Sequence, residues 1–164
     1  MLPALRNNNP GNIEVSSDQW QGATGTDGVY VVFSSPAWGF RALFKNIYNS
    51  ISEGNDTLYK IFYKYLDVPN SHTEQDAINY ANAVAGYTGT GINDQLSADE
   101  TTLKNIATGI MFYESGSDAN GFTASDLNDG YLLFKGVQIA ENPISWVLIL
   151  GGIGLTYYLI KSNS

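Results

Sequence analysis

The sequence predicts a mainly helical α+β domain with a small N-terminal β-hairpin over residues 1–137, followed by one C-terminal transmembrane helix and a short tail over residues 138–164. Three observations predict this arrangement. Apolar residues recur at helical intervals through the middle of the chain. A run rich in β-branched and aromatic residues follows an Asp-Gly pair near the start. An uncharged, apolar segment occupies residues 144–160.

The hairpin is predicted from a turn signal between two short extended segments. Asp27 and Gly28 separate Trp20 and Gln21 from the run VYVVF at residues 29–33. An Asp-Gly pair favours the positive backbone angles of a tight hairpin turn, and the run has the composition of a strand. The rest of the segment before the first helix is expected to be irregular.

Two helices are predicted next from their starts and ends. The first begins with Ser35 and Pro36, a favourable cap and first-turn pair, and ends at Gly54. The second begins at Asp56 and ends before Pro69. The apolar positions that have helical spacing are Phe40, Leu43, Phe44, Ile47 and Ile51 in the first helix, and Leu58, Ile61, Phe62 and Leu66 in the second.

Three more helices complete the predicted domain. The third covers residues 71–86 and the fourth residues 97–116, and each opens with Ser-x-x-Glu, the pattern of a capping box. A Gly- and Thr-rich loop at residues 86–93 separates them. The last helix is short, begins near Thr123 and includes residues 127–134.

The apolar segment at residues 144–160 predicts a transmembrane helix. A helix of this length spans about 25 Å, at the short end of what crosses a bilayer. Trp146 lies near one end and Tyr157 and Tyr158 near the other, where membrane proteins carry aromatic belts. The alternative is a buried core helix, although such a helix is rarely apolar on all sides. The expected localisation is therefore a membrane, with a lipid bilayer as one partner.

Composition excludes several classes of function. The net charge is −8, so the phosphates of nucleic acid would repel the domain, and we expect no nucleic-acid partner. Solubility is the other reason for such a charge. The absence of cysteine excludes thiolate chemistry, and a single histidine makes a zinc site improbable. We therefore expect no metal and no cofactor.

Glu114 is the first candidate for catalysis. Helical intervals lead back from it through Ile110 and Ala107 to Leu103, which form the apolar face of the fourth helix. Glu114 is therefore expected to face inward in the last turn, where low dielectric and the helix dipole both disfavour an ionised carboxyl. A protonated carboxyl is what glycosidic cleavage requires of its general acid. The alternative is a glutamate that extends into solvent at a frayed helix end.

An asparagine cluster forms the second candidate site. Asn7, Asn8, Asn9 and Asn12 follow Arg6, and their amides can both donate to and accept from an N-acetylated sugar. The alternative is that these side chains stabilise turns and caps around the Pro-Gly pair that follows.

Aromatic and basic residues supply further binding candidates. Trp20, Trp38 and Tyr30 could stack against sugar rings, with core packing as the alternative. Arg41 is a candidate partner of Glu114 or of a substrate carboxylate, with an ordinary surface salt bridge as the alternative.

These motifs together resemble a known family. The string RNNNPGNI at residues 6–13 is similar to the N-terminal signature of a family of phage and prophage virion proteins. The resemblance spans residues 6–137 and ends in YESG at residues 113–116, where relatives tend to carry HENG. Its intermediate points are Gln19 to Gly22, Phe33, Gly39, Arg41 to Leu43, Tyr80, Val84 and Ala85.

The resemblance implies a lysozyme-like fold and a peptidoglycan-directed activity. The Glu-Ser-Gly at residues 114–116 is similar to the catalytic motif of lytic transglycosylases and glucosaminidases, and the asparagine string to the substrate-binding segment of glucosaminidases. In those enzymes the glutamate precedes the asparagine string, so this chain would carry a permuted site. Glu14 stands where relatives usually have arginine, a change that could remove a substrate or core contact or could supply a second carboxylate. Because it lies so near the asparagine cluster, Glu14 is the second candidate for the catalytic residue.

The expected function is a virion-associated, membrane-anchored peptidoglycan-cleaving enzyme, a muramidase or lytic transglycosylase that acts in phage entry. Glu114 is the expected catalytic residue, with Glu14 as runner-up. The expected glycan-binding residues are Asn8, Asn9, Asn12, Trp20, Arg41 and Tyr80.

Two alternatives to this enzyme remain. One is a non-catalytic structural protein that links an internal membrane of the virion to its capsid proteins, and the other is a membrane-bound module that binds the cell wall. Peptidoglycan strands are the expected partner of the enzyme and of the wall-binding module.

Overall fold

The computed structural model describes residues 1–138, and the predicted mainly helical fold with a small hairpin is confirmed there. A short 3₁₀ helix follows the fifth α-helix. In chain order the elements are α1 (Pro3–Arg6), β1 (Ala23–Thr26), β2 (Val31–Phe33), α2 (Pro36–Ser52), α3 (Leu58–Tyr65), α4 (Glu74–Thr88), α5 (Glu100–Ser115), the 3₁₀ helix (Gly116–Gly121) and α6 (Ala124–Phe134). Helix α1 was not predicted.

The hairpin pairs β1 with β2 antiparallel, and its turn contains the predicted Asp27 and Gly28. Its first strand is not the predicted Trp20–Gln21 segment. The Trp20 carbonyl accepts a hydrogen bond from the Ala23 amide at 3.2 Å, which closes a turn. Strand pairing therefore begins only at Ala23.

Side-chain caps fix the starts of α3, α4, α5 and α6, whereas Ser35 at the start of α2 forms no side-chain cap. The two predicted capping boxes were wrong. Helix α4 is capped by Thr73 together with Asp76, and not by the predicted Ser-x-x-Glu at residues 71–74. Helix α5 is capped by Asp99, which accepts from the Thr102 amide, and not by Ser97. In both cases a Thr or Asp two residues later offers the N3 amide an acceptor. Helix α6 begins at the predicted Thr123, again with a capping box.

Two other helix boundaries differ from the prediction. Helix α3 is capped by Thr57 rather than Asp56, whose carboxylate pairs with Lys60. Helix α4 runs through Gly86 and ends at Gly89, which adopts the left-handed conformation with φ of 70°. A glycine within a helix lowers stability without terminating it, whereas a left-handed residue does end it.

The core is built around α2. This helix packs against α6 and α5, and α4 packs against both α3 and α5. The buried face of α2 includes the predicted Phe40, Leu43, Phe44 and Ile47, while Ile51 is half-buried. A second, smaller apolar cluster lies under the hairpin and contains Ile13, Val31, Phe33 and Ala42. The hairpin is therefore anchored to the helical core through α2.

The predicted transmembrane helix lies outside the described residues. Within residues 1–138, no helix combines the length and the apolar character needed to cross a bilayer. The transmembrane helix at residues 144–160 and the boundary between the globular domain and the membrane segment near residue 138 stay predictions.

The close approach of α6 to α2 depends on Gly130. A Cβ atom at this position would lie 2.4 Å from Phe40 Cβ and 2.8 Å from the Ala37 carbonyl oxygen. We expect Gly130→Ala to lower the free energy of unfolding by about 1–3 kcal/mol, because the two helices must separate. Denaturant unfolding followed by circular dichroism measures the change.

Gly86→Ala is the matched control. Gly86 is also helical, but nothing lies within 4 Å of the position its Cβ would take. This variant should be stabilised by about 0.5–1 kcal/mol through helix propensity. Equal effects of the two substitutions would contradict the packing argument.

Candidate functional site

A cleft of about 630 Å³ lies beside the hairpin, within the size range of ligand-binding clefts. Four parts of the chain line it: residues 11–30, the second half of α2, α3 with the loop after it, and the last turns of α5. Of the residues predicted for the site, Glu114, Glu14, Asn12 and Trp20 line this cleft. Asn8, Asn9, Arg41 and Tyr80 are not part of its lining.

The half-buried carboxylate of Glu114 is held by two hydrogen bonds. The Tyr80 hydroxyl donates to Oε1 at 2.6 Å, and the Asn12 side-chain amide donates to Oε2 at 2.9 Å. One donor comes from the helical core and the other from the asparagine string. The carboxylate is thus fixed at the point where α5 meets the hairpin region.

Tyr80 is positioned by an aromatic stack. Its ring lies between Phe62, at 4.2 Å between centroids, and Tyr113, at 3.8 Å, and both contacts are nearly parallel. Tyr80 is 1% exposed, and burial, then the charges of Tyr65 and Glu114, raises its pKa well above the usual value. The phenol therefore stays protonated and donates its hydrogen to Glu114.

The Asn9 side chain is completely buried and fully engaged by the backbone. Its amide nitrogen donates to the carbonyl oxygens of Ile13 and Val31, both at 2.9 Å, and its oxygen accepts from the Ile13 amide at 2.8 Å. Asn8, which has a positive φ of 53°, donates to the Phe33 carbonyl at 2.9 Å. Both side chains thus tie the N-terminal segment to strand β2.

Arg6 and Asn7 hold the hairpin turn. Each donates to Asp27 Oδ2 at 2.6 Å, while the Tyr30 and Val29 amides donate to Oδ1. The hydrogen bond from the Tyr30 backbone, followed by that from Asn7, brings the pKa of Asp27 well below its usual range. Arg6, Asn7, Asn8 and Asn9 thus contact the hairpin and the neighbouring backbone. These contacts are those expected if the residues stabilise turns, which was the alternative to sugar binding.

Asn12 is the member of the cluster that faces the cleft. It has a positive φ of 44°, a conformation that asparagine tolerates better than most residues. Its amide nitrogen donates to Glu114, while its buried Oδ1 has no hydrogen-bond partner among residues 1–138. Asn12 therefore links the asparagine string to the carboxylate of Glu114 at the cleft.

Trp20 and Arg41 occupy different environments. Trp20 lines the cleft, and its buried Nε1 finds no hydrogen-bond partner in the described part of the chain. Arg41 is half-buried, burial lowers its pKa, and it forms no ion pair among residues 1–138. The suggested pairing of Arg41 with Glu114 is therefore not formed.

A second carboxylate lies in the same cleft. Glu14 is exposed, and its backbone forms an isolated antiparallel bridge with Tyr30. Burial, then the charges of Glu114 and Glu14 in that order, raises the pKa of Tyr30 and that of Tyr65. The negative charges of both carboxylates therefore help to raise the pKa of the same two phenols, Tyr30 and Tyr65.

Sequence reasoning missed two contributions to the cleft. Tyr65 closes one side and donates a hydrogen bond from its hydroxyl to the Gly11 carbonyl oxygen. Helix α2 adds Asn46, Ser50 and Glu53, and their spacing of four and three residues marks a polar stripe that the sequence does contain. Within residues 1–138, no three metal-ligating side chains lie close enough to hold a metal ion.

Comparison with known proteins relates the chain to a bacteriophage protein. No protein-family model matches it. The chain is 29% identical over 133 residues to Protein P5 of Pseudoalteromonas phage PM2, and the match covers 77% of this chain and 78% of that protein. The similarity extends over most of both proteins.

The buried Tyr80 phenol should make stability fall at high pH. Because its pKa is raised in the folded state, the native protein keeps a proton that the unfolded chain releases above about pH 10. The free energy of unfolding should then fall with a slope that approaches about 1.4 kcal/mol per pH unit for this group once the pH exceeds the unfolded-state pKa. Tyr80→Phe should reduce that slope, as measured by urea unfolding between about pH 9 and pH 11.

Phe62→Leu is the control for this experiment. It loosens the same stack without removing a phenol, so it should lower stability at every pH and keep the wild-type slope. If Tyr80→Phe shows the same dependence of unfolding free energy on pH as the wild type, the raised pKa of Tyr80 would be contradicted.

Proposed function

We propose that this chain is a structural component of a bacteriophage virion. The observation that carries the proposal is the similarity to a phage protein over about three quarters of both chains. The resemblance of residues 6–137 to phage and prophage virion proteins points the same way. The domain would then act as a lysozyme-like packing module.

The geometry of the asparagine string supports an architectural role. Four of its polar side chains, Arg6, Asn7, Asn8 and Asn9, bind the hairpin or the neighbouring backbone. Of these, Asn9 uses both its amide nitrogen and its oxygen on the backbone and is completely buried, so it is closed to a ligand. The string RNNNPGNI, the most distinctive motif of the sequence, therefore has contacts that hold the fold together.

The apolar segment at residues 144–160 supplies the proposed membrane attachment. Its length and its terminal aromatic residues suit a helix that crosses a bilayer. In a virion with an internal membrane, such an anchor would leave the globular domain to contact capsid proteins. The partners in this proposal are lipid and capsid.

Fractionation of purified virions tests the structural role. The chain should be present in purified particles of the phage or prophage that encodes it, and should follow the lipid when the capsid shell is removed. Immunoblotting of the shell and membrane fractions measures its distribution. A truncated chain that lacks residues 144–160 should leave the membrane fraction, and absence of the full chain from purified particles would refute the proposal.

Cleavage of peptidoglycan is the second candidate function, and the position of Glu114 favours it. A glutamate held by two donors at the edge of a ligand-sized cleft can act as a general acid when it carries a proton. The proton would pass to the glycosidic oxygen as the bond from that oxygen to the anomeric carbon breaks. The substrate N-acetyl group or a water would then complete the reaction at the anomeric carbon.

Loss of turbidity of purified peptidoglycan tests this activity in the full-length chain. Glu114→Gln should lower the rate about 100-fold or more, because general acid catalysis contributes at least that much. Glu14→Gln is the matched comparison on the same cleft and should have the smaller effect. A larger loss in Glu14→Gln would transfer the acid role to Glu14, and an inactive wild type would leave only the structural function.

A further inference from the structure

Helices α2 and α6 run in the same direction, and their C-terminal ends lie side by side. A Cβ atom on Gly130 of α6 would lie 2.4 Å from Phe40 Cβ in the first half of α2. Further along both helices, the Phe134 ring packs against Tyr48, with 5.5 Å between the ring centroids. We call the exposed apolar and basic residues of this region the α2–α6 end: Lys45, Tyr48, Leu132, Lys135 and Val137.

Three large apolar side chains are exposed at the α2–α6 end. Tyr48 is 41% exposed, Leu132 40% and Val137 47%. The Val137 amide donates to the Leu132 carbonyl at 2.9 Å, the Gly136 amide donates to the Leu133 carbonyl at 3.1 Å, and Gly136 has a positive φ of 81°. These two hydrogen bonds form a Schellman motif, which brings the positions of Leu132 and Val137 together. The exposed apolar residues are therefore neighbours and not isolated side chains.

The basic residues of this surface form no ion pair among residues 1–138. Four other basic side chains of the described chain do pair with carboxylates: Arg6, Lys60, Lys64 and Lys104. Lys45 and Lys135 do not, and neither does Arg41, which lies one turn before Lys45 on α2. The cations that the described domain leaves unpaired thus lie on α2 and at the end of α6.

Carboxylates are absent from the same stretches of the sequence. Neither residues 36–52 nor residues 130–138 contain Asp or Glu. The flanking carboxylates are Glu53, which is paired with Lys64, and Asp129, which accepts a hydrogen bond from Ser125. The chain has a net charge of −8, but exposed charges more than about 10 Å away are largely screened at physiological salt. The α2–α6 end is therefore complementary to an anionic surface.

The position of this surface along the chain indicates which anionic surface it meets. Five residues, 139–143, separate the last described residue from the apolar segment at residues 144–160. A linker of this length spans at most about 20 Å. If residues 144–160 cross a bilayer, the end of α6 must lie within that distance of the lipid headgroups.

We propose that the α2–α6 end docks the globular domain on the surface of an anionic phospholipid bilayer. Lys45 and Lys135 would contact lipid phosphates, and the exposed apolar residues and the Tyr48 ring would lie among the headgroups, where aromatic residues are enriched. This inference rests on the membrane attachment within the proposed structural function. It adds a lipid class and an orientation of the domain on the membrane.

Quenching of a fluorophore by spin-labelled lipid headgroups tests the orientation in the full-length chain. Ser52→Cys provides a labelling site, because Ser52 is exposed at the end of α2 and the chain has no cysteine of its own. Asn82→Cys is the matched control, since Asn82 is exposed on α4, which packs against α3 and α5. In phosphatidylglycerol vesicles the label at position 52 should be quenched more strongly than the label at position 82.

Charge variants of the Ser52→Cys chain test the role of the unpaired lysines. Lys45→Gln combined with Lys135→Gln should reduce the ratio of docked to undocked domain about fivefold for each lysine removed. Lys60→Gln combined with Lys104→Gln is the matched control, because it changes the net charge equally but removes lysines that already have partners. Equal loss in the two double variants would show an effect of net charge alone and would overturn the inference.

Two further outcomes separate the docking surface from the membrane attachment. If the full chain floats with vesicles but positions 52 and 82 are quenched equally, the docking surface fails, the attachment stands, and an acidic protein becomes the partner of these cations. Quenching at position 52 that is as strong in phosphatidylcholine vesicles would overturn the assignment to anionic lipid. If the full chain does not float with vesicles of either composition, the attachment and the docking surface both fail.

Discussion

The buried side chain of Asn9 joins its own segment to two others, the irregular chain at Ile13 and the first residue of strand β2 at Val31. Its amide binds the chain at Ile13 and at Val31, and the two segments also bind each other through the Val31 amide and the Ile13 carbonyl. Replacing this side chain would leave buried carbonyl groups unpaired, at a cost of about 1–3 kcal/mol. The position of the hairpin, and with it one wall of the cleft, follows from this constraint.

The cleft depends on a second connection, between the hairpin region and the helical core. Glu114 accepts from Asn12 on one side and from Tyr80 on the other, and the ring of Tyr80 is fixed by Phe62 and Tyr113. The same carboxylate is therefore both a structural link and the candidate acid. A glycan-directed activity and a packing role would therefore use the same contacts.

Helical periodicity predicted the core well, because the buried positions of α2 and α5 follow simple spacing. It also placed Glu114 on the inward side of α5. Capping residues were harder to predict, since Thr73 and Asp99 lie two residues after the predicted serine caps and accept from amides two residues further along. The roles of Asn9 and Asn12 could not be distinguished from the sequence, because similar residues three positions apart point in directions that only the left-handed turn at Asn12 decides.

Arg6 to Asn9 hold the fold together, and this affects what can be concluded when another protein carries the same string of residues. These residues specify how a hairpin attaches to a helical body, through Asp27, Phe33 and Val31. A relative could retain the whole string for that reason alone, even after losing any enzymatic capacity. As a fingerprint, RNNNPGNI would therefore identify shared architecture, and it would not by itself identify an enzyme.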